Sequence, residues 1–262
     1  MGFPGHSPAW RTIMLAFALI GLEPAAAGTL DVTESPKASQ PSERLPEPFG
    51  LFASRVFAGA LREKWHGVER NLDDERVQLA LCDGDRERCA SPAALRFLGI
   101  IDNARVREGR ARIGEANRAI NLASRPLSDQ SQYGAADVWT SPLITFNHGA
   151  GDCEDYAIAK FVALRLAGIS ADDLRIVIVR DRIRGEDHAV AAARLDGHWL
   201  ILDNRRMAMV EDADLKNYLP LYVIDQYGPM QYAQPLLADI AGRDLPPATL
   251  MASQPGLGAS NN

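Results

Sequence analysis

Ala189-Val190-Ala191-Ala192-Ala193-Arg194-Leu195, then Asp196-Gly197, then His198-Trp199-Leu200-Ile201-Leu202: two apolar runs divided by Asp-Gly decide how this chain is read. Asp-Gly in that setting is the strongest short-range hairpin signal, because a two-residue type I′ turn needs residues that accept positive φ. With Asp196 and Gly197 as the turn, Leu195 faces His198 and, counting back, Val190 lies opposite Asp203. Side chains alternate along a strand, so His188 shares a face with Val190 and hence with Asp203. The two are then diagonal neighbours about 7–8 Å apart at the backbone, a gap their side chains can bridge. His198 falls on the opposite face. Just upstream, the β-branched run Leu174 to Val179 reads as a further, buried strand.

Before the strands the apolar period changes. Gly149-Ala150-Gly151-Asp152 is a turn into a helix that begins near Cys153, with Tyr156, Ala159, Ala163 and Leu166 on its apolar face and Gly168 as its stop. Further back, Trp65, Val68, Leu72, Val77, Leu79 and Leu81 line one face of a first helix. Ser91-Pro92 caps and opens a second, from Ala93 to about Val106. Ile113, Ala116, Ile120 and Ala123 repeat at helical spacing and predict a third. A polar loop, Arg125 to Gly134, leads to Asp137-Val138-Trp139-Thr140-Ser141-Pro142. Helices, a central helix and then an antiparallel sheet make the fold class α+β.

The ends read differently. Arg11, the ten-residue apolar run Ile13 to Leu22 and the Ala25-Ala26-Ala27 ending are the parts of a secretory signal, with cleavage expected after Ala27. Residues 28–48, rich in Pro, Ser and charge, read as a flexible linker, 49–245 as the single domain and 246–262 as a disordered tail. No stretch approaches the roughly 20 apolar residues that span a bilayer, so no stable membrane insertion is expected. A formal net charge of −6 argues against nucleic acid as the main partner. Of three cysteines, Cys82 and Cys89 flank six polar residues and can close a small loop as a disulfide in an oxidising compartment. Cys153 is left over.

A carboxylate beside a histidine holds one ring nitrogen protonated and stabilises the imidazolium that forms when the other accepts a proton. Asp203 and His188 fit those roles, and Cys153 fits the missing nucleophile. It stands where a Gly-rich turn enters a helix, whose dipole favours a thiolate and whose backbone N–H groups can hold an oxyanion. Each residue alone has a plainer reading: an inert core cysteine, a structural histidine, a strand-end aspartate. Asp152, Glu154 and Asp155 crowd the thiol with negative charge, which raises a thiol pKa. A hard cation with oxygen ligands would resolve that conflict, and calcium suits it, with Asp152 and Glu154 the best ligands and Asp155 the third.

At Gly151-Asp152-Cys153-Glu154-Asp155-Tyr156-Ala157 the sequence resembles the bacterial transglutaminase-like cysteine proteinases. The resemblance runs through Asn117 to Asn121, Tyr133-Gly134, Asp137-x-Trp139-x-x-Pro142, Lys160, His188-Ala189-Val190 and Leu202-Asp203-Asn204, over roughly residues 60 to 225. It implies a papain-like, transglutaminase-type fold with Cys153, His188 and Asp203 as triad, and calcium held by Asp152 and Glu154. It also implies a periplasmic protease that clips a large surface adhesin at an alanine-rich site and so controls biofilm attachment, restrained by an inner-membrane receptor for cyclic di-GMP. The stretch Thr145 to Ala150 departs from the family pattern. Trp139 is a candidate for shaping the cleft or the oxyanion site, with a core tryptophan as the alternative. His148 lies on a Gly-flanked loop with no partnering carboxylate. The same triad serves transglutamination or amide hydrolysis, and a non-catalytic binding module that retains it is the reading from another class.

Overall fold

A computed structural model describes residues 46–233. The expected signal segment, most of the linker and the tail lie outside the described residues. Element order is β1 (Ala53–Arg55), α1 (Ala60–Gly84), α2 (Pro92–Arg105), α3 (Gly109–Ala123), β2 (Arg125–Pro126), α4 (Asp129–Tyr133), α5 (Pro142–His148), β3 (Ala150–Gly151) and α6 (Cys153–Leu166). Then follow β4 (Leu174–Asp181), β5 (Glu186–Leu195), β6 (His198–Leu202), β7 (Val210–Glu211), β8 (Tyr218–Asp225) and β9 (Gly228–Tyr232). The expected α+β arrangement holds.

The predicted helices form, with corrections to their faces. Trp65, Val68, Leu79 and Cys82 are the buried apolar residues of α1, whereas Val77 and Leu81 are 62% and 71% exposed. Glu75 occupies the remaining place on the buried stripe. Its Oε1 accepts from the Ser141 hydroxyl and from the backbone N–H of Leu143 (2.9 Å) and Ile144 (3.3 Å), capping the start of α5. Burial still raises the Glu75 pKa against those bonds. Cys82 lies in the last turn of α1 rather than in a loop, and is disulfide-bonded to Cys89. The Ser91 hydroxyl caps α2 by accepting from Ala94 N–H at 3.2 Å. The polar stretch from Arg125 contains β2 and α4, and β2 pairs in parallel with β3.

Seven antiparallel strands run in the order β1-β9-β8-β4-β5-β6-β7. Asp196 (φ 52°) and Gly197 (φ 84°) form the expected turn, and Leu195 pairs with His198 and Ala191 with Leu202. One sheet face, including Ala189, Ala191 and Ala193, packs on α6 through Ala159 and Ala163. Short side chains on both surfaces let helix and sheet approach closely. Helix α6 is buried nearly all round, although Leu166 is exposed. The other sheet face holds Val177, Val190, Trp199, Ile201 and Val223, and Phe49 and Leu51 pack against it. Residues 46–48, assigned by composition to the linker, belong to this packing: Pro48 is buried, Glu47 pairs with Arg175 at 2.5 Å, and the Trp199 indole donates to Pro46 O at 3.3 Å. Among the described residues no helix is long and apolar enough to cross a membrane.

Candidate active site

The start of α6 is held from two sides. Strand β3 pairs with β2 immediately before it, and the Tyr156 hydroxyl donates to Ser124 O at 2.6 Å. Asp155 is buried, and its Oδ1 accepts from Thr140 N–H (2.8 Å) and Thr140 Oγ1 (2.7 Å), tying the segment before α5 to the first turn of α6. Burial, only partly offset by those two bonds, pushes its pKa up to about 7.

On the sheet, the hairpin register brings His188 Nε2 to 2.9 Å from Asp203 Oδ1, with both side chains buried. Asp203 Oδ1 also accepts from Arg205 N–H (3.0 Å), and Oδ2 from the Tyr218 hydroxyl (2.7 Å). Burial alone would raise the Asp203 pKa. The hydrogen bond and charge of His188, with the Arg205 and Tyr218 donors, outweigh it and hold the carboxyl well below its usual range. An ionised Asp203 can only accept, so His188 Nε2 carries the proton. Nδ1 is buried without a hydrogen-bond partner, which makes it the nitrogen available as a base. The backbone here is pinned from below: Lys160 Nζ donates to Leu202 O (3.2 Å) and Asn121 Nδ2 to Asp203 O (3.0 Å). Burial lowers the Lys160 pKa to about 7, against the opposing charge of Asp203. His198, as expected, is elsewhere and exposed.

Cys153 and His188 line one cleft of about 610 Å³, together with Val56, Leu61, Trp139 and Tyr222. The helix start alone does not make Cys153 a thiolate. Burial, the charge of Glu154 and a 3.1 Å hydrogen bond from the thiol to Glu154 Oε2 drive its pKa up, while the N–H of Ala189, next to His188, works the other way. Trp139 faces the cleft, but its indole N–H is committed to Asp137 Oδ1 at 2.8 Å, and Asp137 is paired with Lys64. His148 Nδ1 meets Gln132 Nε2 (3.1 Å) and the Tyr133 hydroxyl (3.0 Å) and takes no part in the cleft.

Beside the thiol, oxygens of Asp129, Asp152 and Glu154 lie within 4.8 Å of one another. Asp129 Oδ1 and Asp152 Oδ1 are buried and without hydrogen-bond partners. Burial first, then the hydrogen bond and charge of Glu154, push the Asp152 carboxyl up to about 9. Converging, under-satisfied carboxylate oxygens are the donor set a hard divalent cation takes. Asp155, expected as third ligand, lies outside that group, in which Asp129 stands; its Oδ1 is held by Thr140.

Residues 79–222, more than half of the chain, match the family described as bacterial transglutaminase-like cysteine proteinase. The chain belongs to that family. The proteinase is therefore a cysteine peptidase, and its substrate is protein. No curated protein sequence matches it. Among solved structures it is similar to Legionella pneumophila LapG at 23% identity and a TM-score of 0.50, over 60% of this chain and 87% of that one. The EGTA-treated form of LapG gives 22% and 0.50 over 62% and 86%, and the calcium-bound form 22% and 0.48 over 61% and 84%. The two likenesses at a TM-score of 0.50 show a shared fold.

Asp129 and Tyr218 are the polar groups of the site that sequence spacing missed. Neither carries a local signal: one opens a five-residue helix in a polar stretch, the other begins a strand after an acidic turn. Gly151, in contrast, is legible as part of the Gly-Asp-Cys-Glu-Asp block, and the structure of the proteinase supplies the reason. A Cβ there would lie 2.5 Å from Asp155 Oδ2 and 2.8 Å from Asp155 Cβ. Gly151→Ala is expected to destabilise by about 1–3 kcal/mol, the usual range for overpacking a tight site. Thermal unfolding checks it, and an unchanged melting temperature would count against the clamp described for Asp155.

Proposed function

We propose that this proteinase is exported to the periplasm and cleaves a large cell-surface adhesin at an alanine-rich site, in a calcium-dependent manner, so controlling biofilm attachment. Cys153 is the nucleophile, His188 the general base and acid, and Asp203 the group that orients and charges the imidazole. One observation carries the reading: His188 is bound to Asp203 through Nε2, its Nδ1 has no hydrogen-bond partner, and His188 and the free thiol of Cys153 line one cleft. Nδ1 takes the thiol proton, the sulfur attacks the scissile carbonyl carbon, and the proton passes to the departing amine. Water then releases the acyl group from sulfur, with His188 again taking and returning a proton. The signal-like segment ending at Ala27 supports export, and an inner-membrane cyclic di-GMP receptor is the proposed restraint.

Asp129, Asp152 and Glu154 fit calcium, by their convergence and their unpartnered oxygens. Bound there, the ion would supply positive charge next to three carboxylates, two of which raise the Cys153 pKa.

The test is to incubate the purified mature protein with N-terminal fragments of the host's large surface adhesins, in calcium and in excess EGTA. Cleavage in calcium alone is expected. EGTA is also expected to lower the melting temperature, since free calcium at 100 times its Kd stabilises by about 2.7 kcal/mol. For a domain of this size that is roughly 5–11 °C. Full activity in EGTA would remove the metal from the proposal.

A further inference from the structure

Asp203 has two carboxylate oxygens, and the expected triad accounts for only one of them. Oδ1 faces His188, placed by the hairpin register, and the Arg205 N–H two residues on. Oδ2 is held by a residue on another strand, the Tyr218 hydroxyl at 2.7 Å. The Tyr218 ring lies edge-on to the His188 ring, with centroids 5.9 Å apart and planes at 66°. Tyr218 is buried in the cluster that holds Val190 and Trp199.

We propose that Tyr218 is a positioning residue for the reaction: its hydroxyl fixes the carboxylate plane of Asp203, and its ring closes the His188–Asp203 pair off from water. Three features of the geometry support this. The hydroxyl donor is charge-assisted, because Asp203 is ionised, and such bonds are the strong ones. With Oδ2 anchored, the carboxylate cannot turn about its own bond, so Oδ1 stays aligned with Nε2–H. The edge-on aromatic contact removes solvent from that side of the imidazole. Burial and the neighbouring Asp203 charge both raise the Tyr218 pKa, so the hydroxyl keeps the proton it donates. No other side chain donates to Oδ2 among the described residues, and loss of the hydroxyl therefore leaves a buried anionic oxygen unpaired.

The inference rests on the triad reading, and its test separates the two. In calcium-loaded Tyr218→Phe protein, kcat on the alanine-rich adhesin fragment is expected to fall about tenfold with KM unchanged, the size of effect for one unpaired buried acceptor. In a Cys153→Ala background, where no turnover is needed, the NMR resonance of the His188 Nε2 proton is expected to move upfield on adding Tyr218→Phe. With Oδ2 no longer anchored, the carboxylate turns and Oδ1 aligns less well with that proton. Unfolding curves of the paired proteins identify any variant that fails to fold, and the resonance itself appears only in folded protein. An unmoved resonance overturns the proposal whatever the turnover does, and so does an unchanged kcat beside a Cys153→Ala protein that is inactive. Activity persisting in Cys153→Ala would instead defeat the triad reading, and the resonance would still decide the role of Tyr218.

Discussion

Cys153→Ala protein is expected to lose peptide-bond cleavage by about a millionfold, the scale seen when the nucleophile of a triad hydrolase is removed. The reason is chemical rather than structural. Sγ makes one side-chain hydrogen bond, to Glu154, and the rest of the α6 start is held by β3, Asp155 and Tyr156. Taking the sulfur away should therefore leave the fold and the acidic cluster intact while deleting the atom that bonds to the acyl carbon. Cys82 and Cys89 are joined to each other, so Cys153 is the one free thiol of the chain. Iodoacetamide in calcium is accordingly expected to modify Cys153 alone and to abolish activity in step. Chromatographic assay of the fragment products checks both statements. Residual cleavage at wild-type rates in the alanine variant would end the nucleophile assignment.

Asp203→Asn is expected to lower kcat/KM by about 10⁴-fold. Asp203 accepts on both oxygens, from His188, Arg205 and Tyr218. An amide offers one acceptor oxygen and one donor nitrogen in the same space. If the oxygen faces His188, the negative charge that stabilises the imidazolium is gone. If the nitrogen faces it, the ring must accept at Nε2 and carry its proton on Nδ1, where it cannot serve as base. Both arrangements stop the reaction, and neither demands unfolding. Stability should respond to pH with a definite sign. Because the folded Asp203 pKa is depressed below its ordinary 3.8, the ionised group stabilises the native state above that value, and the contribution is lost as pH falls further. The wild-type advantage in melting temperature over Asp203→Asn should therefore shrink below pH 4. A near-wild-type kcat/KM would show that Asp203 does not govern His188.

Much of this site was legible because the relevant geometry is local. A two-residue turn and the twofold alternation of a strand are enough to place His188 beside Asp203, and Asp196-Gly197 specify that turn through residues that tolerate positive φ. Cys153 stood out by arithmetic, with two cysteines paired and one over. The Gly151-Asp152-Cys153-Glu154-Asp155 block pointed to the family, and with it the fold.

What could not be read depends on groups distant in the chain. Asp152, Glu154 and Asp155, around one helix start, look equivalent in sequence. Yet successive residues on a helix diverge by about 100°, so Asp155 turns to Thr140 while Glu154 stays with Asp152. Asp129 joins them because β2 lies parallel to β3, and such a pairing leaves no mark in local composition. Glu75 was invisible as a core residue because its burial depends on donors from Ser141, Leu143 and Ile144, and without them the same position would be destabilising. Periodicity and turn chemistry thus determined α1 to α3, α6, β4 to β6 and the His188–Asp203 register from the sequence alone, whereas β8 and β9 were not read from it. Which acids converge, and which tyrosine holds the second oxygen of Asp203, was decided only by tertiary packing, because buried polar groups are satisfied by whatever the fold brings to them.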